Sequence, residues 1–172
     1  MRYYDTFKSP QGEILLVAND DGLSGIYFKG QKYFPKKDNA WQRAPNHAPL
    51  KRAKRELAQY FAGKRKQFKV ALAPEGTPFQ LSVWKQISKV AFGKTATYGE
   101  LARRAGHAGS ARAAGAATGR NPLSIIVPCH RILGSNGTLT GYAGGLSRKR
   151  ALLALEGASR DRPAPSRSAA TT

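Results

Sequence analysis

The chain has 172 residues, 41% hydrophobic and 9% aromatic, enough for one ordinary folded domain or two small ones with a real core. Its 29 Lys and Arg against 10 Asp and Glu give a formal net charge of +19, which points to a polyanionic partner, nucleic acid ahead of a membrane surface. No apolar run approaches a membrane span, the opening MRYYDTFKSP lacks a signal-peptide core, one cysteine forbids an internal disulfide, and the histidines have no zinc-ligand spacing; a soluble, cytoplasmic protein without a metal is expected.

In chain order, residues 12–28, GEILLVANDDGLSGIYF, cluster β-formers around Asp21-Gly22 and predict a hairpin. Residues 30–48 are polar and basic and read as a loop. Leu50, Ala53, Leu57, Tyr60 and Phe61 recur at helical spacing, with Gly63 as stop, and predict a helix over 50–62. The Pro/Gly stretch APEG at 73–76 reads as a linker. The expected domains are therefore 1–75 and 76–157, followed by a disordered tail over 158–172 that has no periodicity.

Past the linker the helix signals are explicit. Thr77-Pro78-Phe79-Gln80 combines an N-cap, a first-turn proline and a capping-box glutamine, with Phe79, Val83, Ile87, Val90 and Ala91 expected on one face. A second box, Thr97-Tyr98-Gly99-Glu100, opens a short helix to Gly106 and gives Glu100 a structural task. A third helix is expected from Ser110 to about Gly119, in SARAAGAATG. Two short helices around the turn Gly106–Gly109 resemble a helix-turn-helix. The small residues of the second helix would let its backbone approach a surface closely, with Arg112 its one long side chain; an ordinary exposed arginine is the alternative. Between Gly76 and Leu155 stand eleven basic residues and one acidic one, Glu100. Further on, Ser135-Asn136-Gly137 marks a turn, GYAGGL at 141–146 a glycine-rich loop, and Ser147–Glu156 a last helix with Leu152 and Leu155 inward.

The single thiol lies in IIVPCHRI, residues 125–132. A lone buried cysteine is commonly a small core hydrophobe. Pro128, however, ends strands, so Cys129 is expected where an apolar strand breaks into a turn. His130 is the natural base, provided a turn or a water brings it to the sulfur. A free thiol has a pKa of about 8.5, and lowering it by about two units needs about 2.7 kcal/mol, for which His130, Arg131 and a helix N-terminus are candidate sources. Glu156, in the last turn of a helix where the dipole disfavours an anion, is the candidate that orients His130; an exposed glutamate is the alternative.

Pro128-Cys129-His130-Arg131 in VPCHRI, with Gly119-Arg120-Asn121-Pro122 upstream and Gly141-Tyr142-Ala143-Gly144-Gly145-Leu146 downstream, resembles the O6-alkylguanine-DNA alkyltransferases. The likeness is close over about 74–157 and looser through FKSPQGEILL. It implies an α/β (α+β) fold, with an N-terminal ribonuclease-H-like sheet domain and a C-terminal, mainly helical, winged helix-turn-helix domain. It implies that Cys129 accepts the alkyl group from guanine O6 and keeps it as a thioether, with His130 taking the thiol proton through a water and Glu156 behind His130. Tyr98 would help rotate the nucleotide out and protonate guanine N3. Arg112 would fill the gap in the base stack, Ala113 and Ser110 on the same helix would meet the DNA, and Asn121 would join that helix to the thiol strand. Tyr142 would line the guanine pocket, the carbonyls of Cys129 and Ile132 would hold its amino group, and the amide of Ala143, where some members carry serine, would donate to O6. Double-stranded DNA approached from the minor groove is the implied partner, with no cofactor, no membrane and no obligate protein partner. A thiol hydrolase using Cys129 and His130, and a DNA-binding protein without catalysis, are the competing readings; the charge argues against the first and the thiol against the second.

Overall fold

The computed structural model describes residues 1–106 and 111–158. The chain divides into two compact units, Met1–Glu75 with Pro122–Ser124, and Gly76–Asn121 with the residues from Ile125 onward. Three residues of the expected second domain thus belong to the first unit.

In the first unit, β1 (Tyr3–Ser9), β2 (Gly12–Ala18) and β3 (Leu23–Phe28) form an antiparallel meander, and β4 (Gln42–Arg43) pairs parallel with β1, giving the order β3-β2-β1-β4. β2 and β3 are the expected hairpin. β1 carries no apolar alternation to announce it, since its one fully buried residue is Asp5, which pairs with Lys54 and Arg43. Helix α1 (Ala48–Phe61) packs on this sheet through Leu50, Ala53, Leu57 and Tyr60, at the spacing read from the sequence, and Gly63 follows with φ 75°. Glu56, also buried, accepts from the backbone amides of Lys69 and Val70 and from Arg52 Nε, which fastens the segment returning from the helix. Burial alone would raise its carboxyl pKa, but these bonds outweigh it and hold it low. Residues 122–124 lie along β3, with the Ile26 amide donating to the Pro122 carbonyl at 2.8 Å.

The second unit is helical. α2 (Pro78–Ile87) starts on the predicted capping box, Thr77 Oγ1 accepting from the Gln80 amide and Gln80 returning to the Thr77 amide. Its buried residues are Val83, Trp84 and Ile87; it ends before Val90, and Ala91 is exposed, so the expected face runs one turn too long. Trp84 Nε1 donates to the Ala117 carbonyl at 2.8 Å. β5 (Ala96–Thr97) leads through the second capping box into α3 (Tyr98–Arg104), where Glu100 bonds the Thr97 amide as anticipated. α4 (Ala111–Gly119) packs on α2 and α3 through Ala114, Ala117 and Thr118. The proposed turn and Ser110 lie outside the described residues.

The apolar run before the cysteine is not a strand. Leu123, Ile125 and Val127 are buried, yet only Leu123 makes a ladder bridge, and Ile125 takes φ 73°, a left-handed conformation rare for a β-branched residue that breaks extended geometry. Strand β6 (Ile132–Leu133) comes after the thiol instead, pairing parallel with β5. The last helix, α5 (Leu146–Leu155), starts from Gly145 at φ 96°, a conformation glycine adopts without strain. It buries Lys149, Leu152 and Leu153, whereas Leu155 is exposed. Ala158, expected to begin the tail, packs with Leu133 and Leu153; the rest of that segment lies outside the described residues.

Candidate active site

Cys129 opens a 3₁₀ turn, Cys129–Arg131, capped by Pro128. The turn follows from local chemistry. Pro128 lends no amide, its carbonyl accepts from Arg131 N at 2.9 Å, and the Cys129 carbonyl accepts from Ile132 N before β6 resumes the extended chain. Cys129, His130 and Arg131 are all buried.

Asn121, just past the C-terminus of α4, directs its amide into this turn. Nδ2 donates to the Val127 carbonyl at 2.8 Å and to Cys129 Sγ at 3.1 Å. An N–H aimed at sulfur favours the anion over the thiol. Burial pushes the thiol up all the same, and it dominates; the Asn121 bond and the charge of Lys149 act in the opposite direction. This corrects the expected origin of thiolate stabilisation. His130 and Arg131 are engaged elsewhere, and the two groups that favour the anion are Asn121 and Lys149.

His130 Nε2 lies 2.7 Å from Glu156 Oε2, with both side chains shut off from solvent. Arg131 closes on the same carboxylate, Nε to Oε1 at 2.8 Å and Nη2 to Oε2 at 3.0 Å, while Nη1 reaches the Val90 carbonyl and the guanidinium sits 5.8 Å from the Phe92 ring centre. Burial would raise the Glu156 carboxyl, but the hydrogen bonds and charges of His130 and Arg131 bring it to about 2. Glu156 is thus no exposed glutamate. For His130, burial is the largest influence and lowers the pKa; Glu156 opposes, but Arg131 already neutralises that carboxylate, and Lys149 adds further positive charge. The imidazole is neutral, with Nε2–H donating to Glu156. Its buried Nδ1, which has no hydrogen-bond partner among the described residues, then carries the free lone pair.

Tyr98 enters from α3 because β5 and β6 pair Thr97 with Leu133, which brings the start of the helix beside the thiol turn. Its ring packs near Gly115 of α4, where an added Cβ would sit 3.7 Å from Cδ1. Burial raises the phenol pKa; a hydrogen bond with Thr140 lowers it and the Cys129 charge raises it again, so the phenol holds its proton at neutral pH. Tyr142 and Ala143 are half-buried in the loop before α5, and the Ile132 carbonyl accepts from Lys149 Nζ. Arg112 and Ala113 are exposed on α4, away from this buried cluster.

Two participants escaped the sequence reading. Thr140 holds Tyr98. Lys149 is wholly buried, its Nζ donating to the carbonyls of Ile132 and Thr140 at 2.7 Å each and of Gly141 at 3.2 Å, and burial lowers its ammonium to about 8. The signal was there, since Lys149 precedes Leu152 and Leu153 by three and four residues and shares their helix face. Among the described residues no cluster of three metal-ligating side chains exists, and no helix is long and apolar enough to cross a membrane.

A sheet unit and a helical unit, the latter holding one thiol backed by an asparagine and a histidine–glutamate–arginine cluster, define a two-part protein built around a supported cysteine. Comparison with known proteins places it. The family models described as the ribonuclease-like domain and the DNA binding domain of 6-O-methylguanine DNA methyltransferase match residues 2–74 and 78–158. A methylated-DNA--protein-cysteine methyltransferase of Methanosarcina acetivorans is 49% identical over 156 residues, covering 90% of this chain and 98% of that one. Its namesake in Mycobacterium bovis is 44% identical over 91% of this chain and 93% of its own. The crystal structure of Mycobacterium tuberculosis OGT in complex with DNA superposes with a TM-score of 0.83 at 42% identity, covering 90% and 92% of the two chains. The chain belongs to the 6-O-methylguanine DNA methyltransferase family.

Proposed function

We propose that this protein repairs DNA by taking the alkyl group from O6 of an alkylated guanine, flipped out of the duplex, onto Cys129, once per molecule. The observation that carries the reading is the buried row Asn121–Cys129, His130–Glu156: a thiol with an N–H on its sulfur, and beside it in sequence a neutral imidazole whose tautomer a carboxylate holds.

The steps follow from those groups. His130 Nδ1 takes the thiol proton through a water, and Glu156 holds the imidazolium that forms, as a carboxylate does behind any base histidine. Because burial keeps the resting thiol protonated, ionisation accompanies the transfer rather than preceding it. The sulfur electron pair forms the S–C bond, the C–O6 bond breaks, and its electrons pass into the guanine ring. Tyr98, which retains its proton, donates it to guanine N3. The product is a thioether, which offers no leaving group to water, so the protein is consumed. Tyr142 and Ala143 line the base pocket, and the Cys129 and Ile132 carbonyls face the guanine amino group. α4, exposing Arg112 and Ala113, approaches the minor groove with Arg112 occupying the place of the extruded base.

The test is stoichiometry. With duplex oligonucleotide carrying radiolabelled O6-methylguanine, uptake is expected to stop at one methyl per chain, located on Cys129 by mass spectrometry; repeated turnover overturns the proposal. Cys129→Ala is expected to take up none while binding the same duplex within about twofold of the parent.

A further inference from the structure

Lys149 has three N–H donors, and three neutral carbonyls use them. Among the described residues no carboxylate pairs with it. A buried cation whose acceptors are all uncharged is costly to fold, so its retention calls for a compensating charge at some stage of function. The anion within its reach is the Cys129 sulfur, and the coupling is mutual: the ammonium favours the thiolate, and the thiolate favours the ammonium. The three carbonyls are no less telling. Ile132 directly follows the thiol turn, and Thr140 and Gly141 lead into Tyr142 and Ala143, so one ammonium spans both sides of the site. Thr140 also bonds Tyr98. The other titratable group coupled to Lys149 is His130, and on its own helix Arg148 turns away to the Gly144 carbonyl at 3.0 Å.

We propose that Lys149 is a positioning residue for alkyl transfer: its ammonium ties the 140–141 loop to Ile132 and holds a buried positive charge against Cys129, so that the sulfur ionises in place. The inference rests on the transfer reading and adds to it a charge that the His130–Glu156 pair does not supply. No bond to Lys149 forms or breaks.

The single cysteine makes the test clean. Carboxymethylation of Cys129 by iodoacetamide, followed by intact mass across pH 6 to 10, reports the thiol's titration without any DNA. In Lys149→Met, which keeps length and apolar stem, the midpoint is expected to rise by about one unit, a tenfold smaller thiolate fraction. Single-turnover methyl transfer at pH 7 is expected to fall at least about tenfold, with cooperative thermal unfolding retained. A wild-type midpoint and rate in the variant overturn the proposal. Should Lys149→Met fail to fold, ¹³Cε-lysine NMR of the parent and Cys129→Ala decides: Lys149 is expected to titrate at lower pH once the sulfur is gone, and an identical midpoint overturns the coupling. A shifted iodoacetamide midpoint in a protein whose parent takes no methyl from DNA overturns the transfer reading alone.

Discussion

Glu156 meets two cations through two oxygens, and this decides which of its neighbours is charged. Arg131 is permanently protonated and takes both oxygens, so His130 is left to bind as a neutral donor. Glu156→Gln leaves Arg131 buried without its counter-charge, and denaturant titration at pH 7 is expected to show a loss of about 3 kcal/mol. The pH dependence has a definite sign. A carboxyl held at about 2 when folded, against 4.5 ordinarily, contributes stability that is fully present above pH 4.5 and lost as pH falls toward 2. Between those limits the parent's stability is expected to fall more steeply than that of Glu156→Gln; parallel curves would show that Glu156 is not held low. Cys129, His130 and Glu156 were legible from residue type and spacing. Lys149 was harder to read, because lysine on a basic chain signals surface, and only its register with Leu152 and Leu153 spoke against that.

At the scale of elements, the capping boxes at Thr77 and Thr97 were read correctly because a cap is local: donor, acceptor and spacing all lie within four residues. The segment before Cys129 was misread as a strand because its burial comes from packing rather than from a ladder, and the left-handed Ile125 is invisible in composition. α4 is the element most tied to DNA in the proposed mechanism. Its inner face is Ala114, Ala117 and Thr118, which lets α2 and α3 pack close, while Arg112 projects outward. Arg112→Ala is expected to slow methyl uptake from duplex DNA about tenfold or more, and to leave reaction with free O6-methylguanine base unchanged. Equal slowing in both assays would remove the stacking role.

Across the whole molecule the charge is the dominant fact. Of the eleven basic residues between Gly76 and Leu155, Arg131 and Lys149 are buried and serve the site, and most of the others are exposed. Binding through only about four phosphate contacts predicts about a hundredfold loss of DNA affinity between 50 and 200 mM salt, measurable by fluorescence anisotropy; a flat response would contradict phosphate contact. The sequence by itself determined the cationic character, the hairpin, the helices with their caps, the thiol motif and the family, because each is written in neighbouring residues or in composition. Only the tertiary structure decided that Pro122–Ser124 joins the sheet unit, that Asn121 and not Arg131 bonds the sulfur, that Arg131 shares Glu156 with His130, and that Lys149 points inward. Those are contacts between segments up to 26 residues apart, and burial, which sets both the pKa of a thiol and the worth of a charge beside it, exists only once such segments meet.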